Sequence, residues 1–385
     1  MSNYRIKTFS SFDEALSIRP EWTHLAADHF MSQLNWLANW WEHCVVLAGD
    51  SNRCRPLIAA VLDEHSDVVG IAPFYKSRNL SGHALRVMGD GTVCSDYTRI
   101  LAEAGQERAV SESLADWISS SDFRRDFGAI DWLEIEGHTS EEITWQLLWG
   151  RLTTSGWSVD SRELEGSWLA MLPDNWEAFY KTISKSRKRK IKKAFAHLDE
   201  GRATCQFLTT SDECLSAWPK FVELHQKRRQ TLGQSGCFAN ANFESFLRQV
   251  VSDYAVAGQV VMTEVSHELQ PFGYLLLFRT RHRLWMYQSG FDPAFDHLEP
   301  GHLINTCSLR YAIETGLTEF DFLRGDEPYK EAWGTSRIPL LTTRCTAPHA
   351  SARLKNTLWN AGRQLKSIGG LWSSPSTQQA PEVAE

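Results

Sequence analysis

The stretch from Arg283 to Leu323 constrains the fold more than any other part of the chain. A run of apolar and aromatic residues, Arg283–Gln288, reads as a strand. It passes through a loop into Glu299-Pro300-Gly301-His302-Leu303. A helix is predicted from Pro300 to Thr315, with Gly316 as its stop and a second strand at Glu319–Leu323. Proline suits a first helical position and glycine the residue just past a helix end. Strand, helix and strand in this spacing form a βαβ unit. Its two strands must run parallel, because a crossover of that length returns the chain in the same direction.

The flanking sequence extends this α/β pattern. Strands are predicted at Gln259–Val265 and Phe272–Arg279, and long helices at Arg187–Glu200 and Asp212–Leu232. Pro219 is expected to kink or restart the second of these. Asp174-x-x-Glu177 reads as a capping box opening this half. The first half predicts a helix stripe of Leu34, Leu37 and Trp41, then strands near Arg55–Asp63, Asp67–Tyr75 and Ile130–Glu136. Its helices are expected near Glu107–Ser119 and Glu141–Thr154. At about 100–200 residues per domain, 385 residues allow two domains and a tail. The expected boundaries are 1–165, 166–345 and 346–385. In the tail, Arg353–Ile368 is predicted as a basic amphipathic helix docked on the body, with Leu354, Leu358, Ala361 and Leu365 on one face. A disordered end rich in Ser, Pro, Gln and Glu follows at 373–385. Val69-Gly70-Ile71-Ala72-Pro73-Phe74 and Pro271-Phe272-Gly273-Tyr274-Leu275-Leu276 echo each other faintly as strands entered near a glycine.

Charge and cysteine usage exclude some classes. A net charge of −7 argues against a dedicated nucleic-acid binder. Eight scattered cysteines without a Cys-x-x-Cys pair fit reduced thiols in the cytoplasm, and give no metal or disulfide framework. The N-terminal residues lack the apolar run of a secretory signal, and no apolar stretch is long enough to span a bilayer. The sixteen tryptophans are expected mainly in the core or in a cleft wall.

Four constellations could carry chemistry. The helix from Asp212 has a stripe of Leu215, Trp218, Val222, His225, Arg229 and Leu232, which turns from apolar to His/Arg partway along. Such a face commonly runs from core into a cleft, although a packed core histidine beside a structural arginine gives the same pattern. In the preceding helix Arg187 shares the apolar side with Ile183, Ile191, Ala194 and Leu198, within the basic run Lys185–Lys193. That run is either a solvated face or a site for a phosphate, nucleotide or RNA. Pro300-Gly301 at a helix start offers freed N–H groups and the positive end of the helix dipole to an anion. It is not a P-loop. Finally, Asp326, Glu327, Tyr329 and Lys330 gather just beyond a buried strand, where α/β folds commonly place functional groups.

In order along the chain, Tyr287-Gln288-Ser289-Gly290-Phe291-Asp292, Pro300-Gly301-His302-Leu303 and Phe320-Asp321-Phe322-Leu323-Arg324-Gly325-Asp326-Glu327-Pro328-Tyr329-Lys330 with Trp333 resemble the CelD/BcsL-type proteins. These belong to the GNAT acyltransferase superfamily and are related to the FemAB aminoacyltransferases. Trp36…Trp40-Trp41, Gly70-Ile71-Ala72-Pro73-Phe74-Tyr75 and Gly89-Asp90…Ser95-Asp96-Tyr97 extend the likeness into the first half. The resemblance implies an α/β (α+β) fold of two tandem GNAT-like domains, each a mixed twisted sheet flanked by helices. It implies transfer of an acyl group from acyl-CoA to an amine or hydroxyl of a small-molecule or saccharide acceptor, in polysaccharide or envelope biosynthesis. Acyl-CoA, expected to be acetyl-CoA, would be a co-substrate, with no permanently bound cofactor and no DNA partner. The chain departs from ordinary GNAT enzymes in lacking their Gln/Arg-x-x-Gly-x-Gly/Ala loop.

On this reading the transfer is direct. His225 or Asp326 acts as base, and Tyr287 protonates the leaving thiolate. Ser289, Gly290, Pro300, Gly301 and His302 hold the donor. Arg187, Arg229, Glu327, Tyr329, Lys330 and Trp333 bind substrate. The alternatives are a FemAB-like enzyme using aminoacyl-tRNA and a catalytically silent ligand-binding protein of the same fold.

Overall fold

A computed structural model describes residues 4–79 and 82–368. The chain divides into two units. The first holds most of the chain up to Leu164 and the segment beginning at Pro339; the second holds Glu165–Ile338 with Asp28–Phe30.

The first unit contains β1 (Arg5–Phe9), β2 (Cys54–Leu62), β3 (Val68–Asn79), β4 (Gly82–Val87), β5 (Leu101–Ala102), β6 (Trp132–Thr139) and β7 (Ser158–Glu163). The second contains β8 (Ser167–Met171), β9 (Thr204–Leu208), β10 (Val260–His267), β11 (Gln270–Arg279), β12 (Arg283–Phe291), β13 (Glu319–Arg324) and β14 (Ser336–Ile338). The chain then returns as β15 (Leu340–Thr346) to the first sheet, between β6 and β7. This corrects the expected boundary at 345. The hydrophobic pattern announces a strand, but not which sheet takes it.

The two sheets follow one plan. The first runs β1-β2-β3-β4-β6-β15-β7, with β5 paired to β3; the second runs β9-β10-β11-β12-β13-β8-β14. Among the described residues each contains one parallel pair, β4·β6 and β12·β13, and every other pairing is antiparallel. β3 and β11 occupy equivalent places, so the faint glycine echo marks corresponding strands. At Gly70 a Cβ would lie 2.5 Å from a methyl of Val110, and at Gly273 it would lie 2.8 Å from one of Val265. Each glycine admits a close neighbour.

The helices used below are α1 (Leu34–Trp41), α2 (Glu107–Ser119), α3 (Ile143–Thr154), α4 (Lys185–Asp199), α5 (Ser211–Thr231), α6 (Ala241–Val256), α7 (Pro300–Glu314) and α8 (Ala350–Ile368). In the second unit α4 and α7 share one core with Leu275, Leu277, Leu284 and Met286. On the other face Phe221 of α5 packs on Tyr274, and Tyr254 of α6 on Phe278. α5 continues through Pro219 without a break. Its capping box is Thr210/Glu213; the box expected at Asp174 is instead a cap by Asn175, whose side chain accepts the Ala178 N–H.

α8 buries Ala352 and lays Trp359 under Arg344, 3.7 Å from the guanidinium carbon to the ring centroid. Leu354 and Leu358 are 62% and 64% exposed, so the leucine face is not the docking face that the sequence predicted. The predicted disordered end, and the side chain of Leu365, lie outside the described residues.

Candidate functional site

The site is set by the parallel pair of the second sheet. β12 and β13 pair only at Arg283–Trp285 with Glu319–Asp321. Beyond that point β12 runs on to Phe291, while β13 pairs with β8 alone through Arg324 and Ser167. The two strands have parted, which opens a slot at their C-terminal ends. β12 is also bulged here: Leu276 faces Gln288 and Leu277 faces Met286, leaving Tyr287 as the extra residue. A bulge re-aims side chains and interrupts the ladder, and such features cluster at functional sites.

At one side of the β12–α7 connection stands a cluster of cations. Glu299 takes φ +50 just ahead of α7, and Pro300 and Gly301 start the helix. His302 has Arg187 Nη1 2.6 Å from its Nδ1 and Lys190 Nζ 2.7 Å from its Nε2. Burial and these two positive charges push the imidazole pKa down to about 4. A neutral imidazole has one lone pair in the ring plane. It can therefore accept from only one of the two cationic donors. Arg187 is buried, lies over the Trp333 ring at 4.5 Å and donates to the Tyr329 carbonyl, but has no carboxylate partner among the described residues. Its pKa is lowered by burial. The Tyr329 hydroxyl and the Trp333 indole N–H are buried beside it without a hydrogen-bond partner. Buried Trp22, Trp36, Trp145 and Trp285 donate their N–H, whereas those of Trp333 and of Trp218, on α5, are unpaired. Uncompensated cations and unpaired donors in one buried place favour an anionic, oxygen-rich ligand.

The helix α5 supplies a second group. His225 and Arg229 are buried, whereas Leu232, on the same expected stripe, is 46% exposed. The buried side actually runs through Cys214, Trp218, Phe221, Leu224 and His225. Gly290 is needed here, because a Cβ on it would fall 2.5 Å from the His225 backbone nitrogen. That close approach lets the Ser289 carbonyl accept from His225 Nδ1 at 2.8 Å. A carbonyl only accepts, so Nδ1 carries the proton and Nε2 presents the lone pair. Burial drives this histidine's pKa down to about 4, so it is a neutral acceptor at physiological pH.

Two residues expected to act chemically are held elsewhere. Asp326 is gripped by Arg337 at 2.8 and 3.0 Å and its pKa is lowered chiefly by that partner. A carboxylate stabilised in its charged form is a poor base, so the geometry removes Asp326 as the rival to His225. Lys330 is buried with its ammonium on the carbonyls of Leu323, Arg324 and Gly325 and 2.8 Å from Glu327 Oε2. Leu323 has φ +56 and Gly325 φ +125, so Lys330 fastens a strained turn and has no donor left for substrate. Glu327 is occupied by the same ion pair. Tyr287 is buried with its ring edge-on to Phe278 at 5.6 Å. Cys237 Sγ lies 3.4 Å from His225 Nε2 and accepts from the Gln288 side-chain amide at 3.2 Å. Lys190, Cys237 and Gln288 thus belong to these clusters without having been singled out from sequence; only the basic run hinted at Lys190.

Residues 185–331 match the family model of the acetyltransferase (GNAT) domain. The matched span runs from the first residue of α4 to the turn held by Lys330. Among solved structures the chain is similar to FemX, with a TM-score of 0.60 at 11% identity, over 87% of this chain and 96% of that one. It is also similar to the C-terminal domain of a putative lysylphosphatidylglycerol synthetase from Agrobacterium fabrum, with a TM-score of 0.53 at 8% identity, over 90% and 96%. A conserved protein of unknown function from Bacteroides thetaiotaomicron gives 0.51 at 11% identity, over 86% and 97%. No curated protein matches by sequence. At these identities the structural likenesses establish the fold: two tandem GNAT-like units. The family match falls wholly within the second unit.

Proposed function

We propose that the second unit transfers an acyl group from a CoA thioester to an amine or hydroxyl of a small-molecule or saccharide acceptor. The observation that carries this is the parted β12·β13 pair beside a cation cluster in which buried Arg187 and half-buried Lys190 have no carboxylate partner among the described residues, the neighbouring Glu299 being paired with Lys193. A thioester carbonyl in the slot would be polarised by backbone N–H groups around the Tyr287 bulge. The donor pyrophosphate would lie at the start of α7, near Gly301 and His302, against Arg187 and Lys190. Tyr329 and Trp333 would donate to the same ligand. His225 would take the proton, and Tyr287 would return one to the departing thiolate. Arg229 stays in the proposal as a wall of the His225 site. We place the reaction in the cytoplasm, in polysaccharide or envelope biosynthesis. Among the described residues no helix is long and apolar enough to cross a membrane.

Calorimetry with acetyl-CoA tests the donor site. Gly301→Glu introduces charge and bulk at the start of α7 and should weaken acetyl-CoA binding at least about tenfold, with circular dichroism unchanged. Equal binding by the variant and the native chain would move the donor site.

A second reading, an aminoacyl-tRNA donor, is favoured by the exposed cations Lys185, Arg189, Lys192 and Lys193 on α4. It predicts RNA affinity that falls steeply with salt. Acetyl-CoA binding without measurable tRNA binding at low salt decides against it.

A further inference from the structure

α8 carries Arg353, Lys355, Arg363 and Lys366 and no aspartate or glutamate, in a chain whose net charge is −7. Its start is tied to the first unit through His349. There Nδ1 accepts the Ala352 N–H at 3.3 Å and Nε2 donates to the Ile130 carbonyl at 2.9 Å. Ala352 is buried, and the Lys355 ammonium is 2.7 Å from an Asp131 carboxylate oxygen. Trp359 lies under the guanidinium groups of Arg344 and Arg162, with ring centroid to guanidinium carbon distances of 3.7 and 4.6 Å. Ala352, Lys355 and Trp359 follow at steps of three and four, so they share one side of the helix. That side is docked.

Leu354 and Leu358 fall on roughly the opposite side, because each residue turns the helix by about 100°. They are one turn apart and are 62% and 64% exposed; Ala361, at the next step, is exposed as well. Leu365, whose side chain lies outside the described residues, continues the spacing in sequence. The contacts that fix the helix therefore turn its apolar stripe to solvent.

Whatever covers that stripe has to suit the charge around it. Arg353 flanks the leucines, exposed, with its guanidinium 3.4 Å from the Gly156 carbonyl and no carboxylate partner among the described residues. A second copy of the helix would match the leucines but set four cations against four, with no acid between them. A nucleic acid would meet the cations and leave the leucines in water. An anionic bilayer meets both. Leucines enter the boundary between headgroups and acyl chains, while the stems of Arg and Lys reach up to the phosphates. Four cations in a helix of 19 residues keep it on the surface rather than through the bilayer.

We propose that α8 binds the surface of an anionic phospholipid bilayer, lying along it with Leu354 and Leu358 inserted, and holds the chain there as a peripheral protein. Binding of this kind is independent of the acyl chemistry proposed above.

Sedimentation of the full chain with vesicles tests it. Vesicles of phosphatidylglycerol mixed with phosphatidylcholine should carry the protein into the pellet at low salt. Phosphatidylcholine alone should carry much less, and added salt should weaken the binding. Leu354→Asn combined with Leu358→Asn removes the inserted groups without touching the docked side. It should lower the vesicle partition coefficient on the order of 10²-fold, with circular dichroism unchanged. Arg353→Gln should lower it about fivefold. Hydrogen exchange of the native chain gives a reading that needs no variant: the amides of α8 should exchange more slowly with anionic vesicles than without. A native chain that stays in the supernatant with both kinds of vesicle overturns the proposal. So does a double variant that sediments as strongly as the native chain, which would move the contact to the exposed cations of α4. A native dimer that the double substitution converts to a monomer, without vesicle binding, gives the leucine face to a second copy and overturns it as well.

Discussion

His225 and His302 show how two histidines acquire similar acidity for different reasons. In His225 burial dominates, whereas His302 adds the repulsion of Arg187 and Lys190. Both fall from an ordinary value near 6.5 to about 4 on folding. A depressed histidine pKa means that the unfolded chain binds the proton more readily. Stability should therefore be lost as pH falls from 6.5 towards 4, by at most about 3 kcal/mol per histidine. Melting temperature against pH should show this slope, and His302→Gln should flatten it. Turnover that depends on neutral His225 should likewise hold down to about pH 5; an acid limb centred near 6.5 would contradict the assigned base. Asp326 gives the opposite expectation. Asp326→Asn loosens a half-exposed pair with Arg337, so stability should change by about 1 kcal/mol or less and turnover hardly at all. A hundredfold loss of turnover in that variant would restore Asp326 to the chemistry.

At the scale of elements, the strand–helix–strand reading of Arg283–Leu323 survived because its signals are local: apolar runs, Pro at the helix start, Gly past its end. The start of α7 was legible for the same reason. The chemistry around it was less so, because hydrogen-bond partners far apart in sequence decide it. Lys330 sits in the densest polar stretch of the chain and reads as a substrate contact, yet it fastens the turn after β13. Its partners, three consecutive carbonyls and Glu327, are all within seven residues. Sequence spacing admitted that arrangement but did not single it out. The Cys237–His225 contact was less visible still, since a loop rather than a helical repeat sets the twelve-residue separation. Lys330→Met should leave Glu327 buried without its cation and cost about 3–5 kcal/mol, the usual penalty for breaking a buried pair. Chemical denaturation measures it. A loss below about 1 kcal/mol would mean that the ammonium does not hold the turn. Gly236→Ala should act differently: Gly236 has φ +71 and an added Cβ would meet Gln226 Oε1 at 2.2 Å, so thermal denaturation should show a stability loss of about 1 kcal/mol or more.

For the whole molecule, the sequence expectation of two α/β units was right, and their shared strand order explains why Gly70 and Gly273 echo. What periodicity could not reveal is the path of the chain between sheets. β15 lies between β6 and β7, pairing with both along its length, from Leu340↔Thr139 to Thr346↔Ser158. Its Leu340, Thr343, Cys345 and Thr346 are buried there. A chain limited to 166–345 would therefore carry a strand stripped of both neighbours, with unpaired backbone edges and apolar side chains exposed, which is a template for aggregation. A chain limited to Glu165–Ile338 keeps every strand of the second sheet and omits β15. Both lack Phe30, which stacks on Phe278 and whose carbonyl accepts from Tyr254, so both should lose a few kcal/mol relative to the native unit. The difference between them isolates β15. The shorter chain should elute as a monomer with mixed α/β circular dichroism, while the longer one should associate with increasing concentration. Equal monomeric behaviour of the two in size-exclusion chromatography would show that β15 does not depend on the first sheet for its burial.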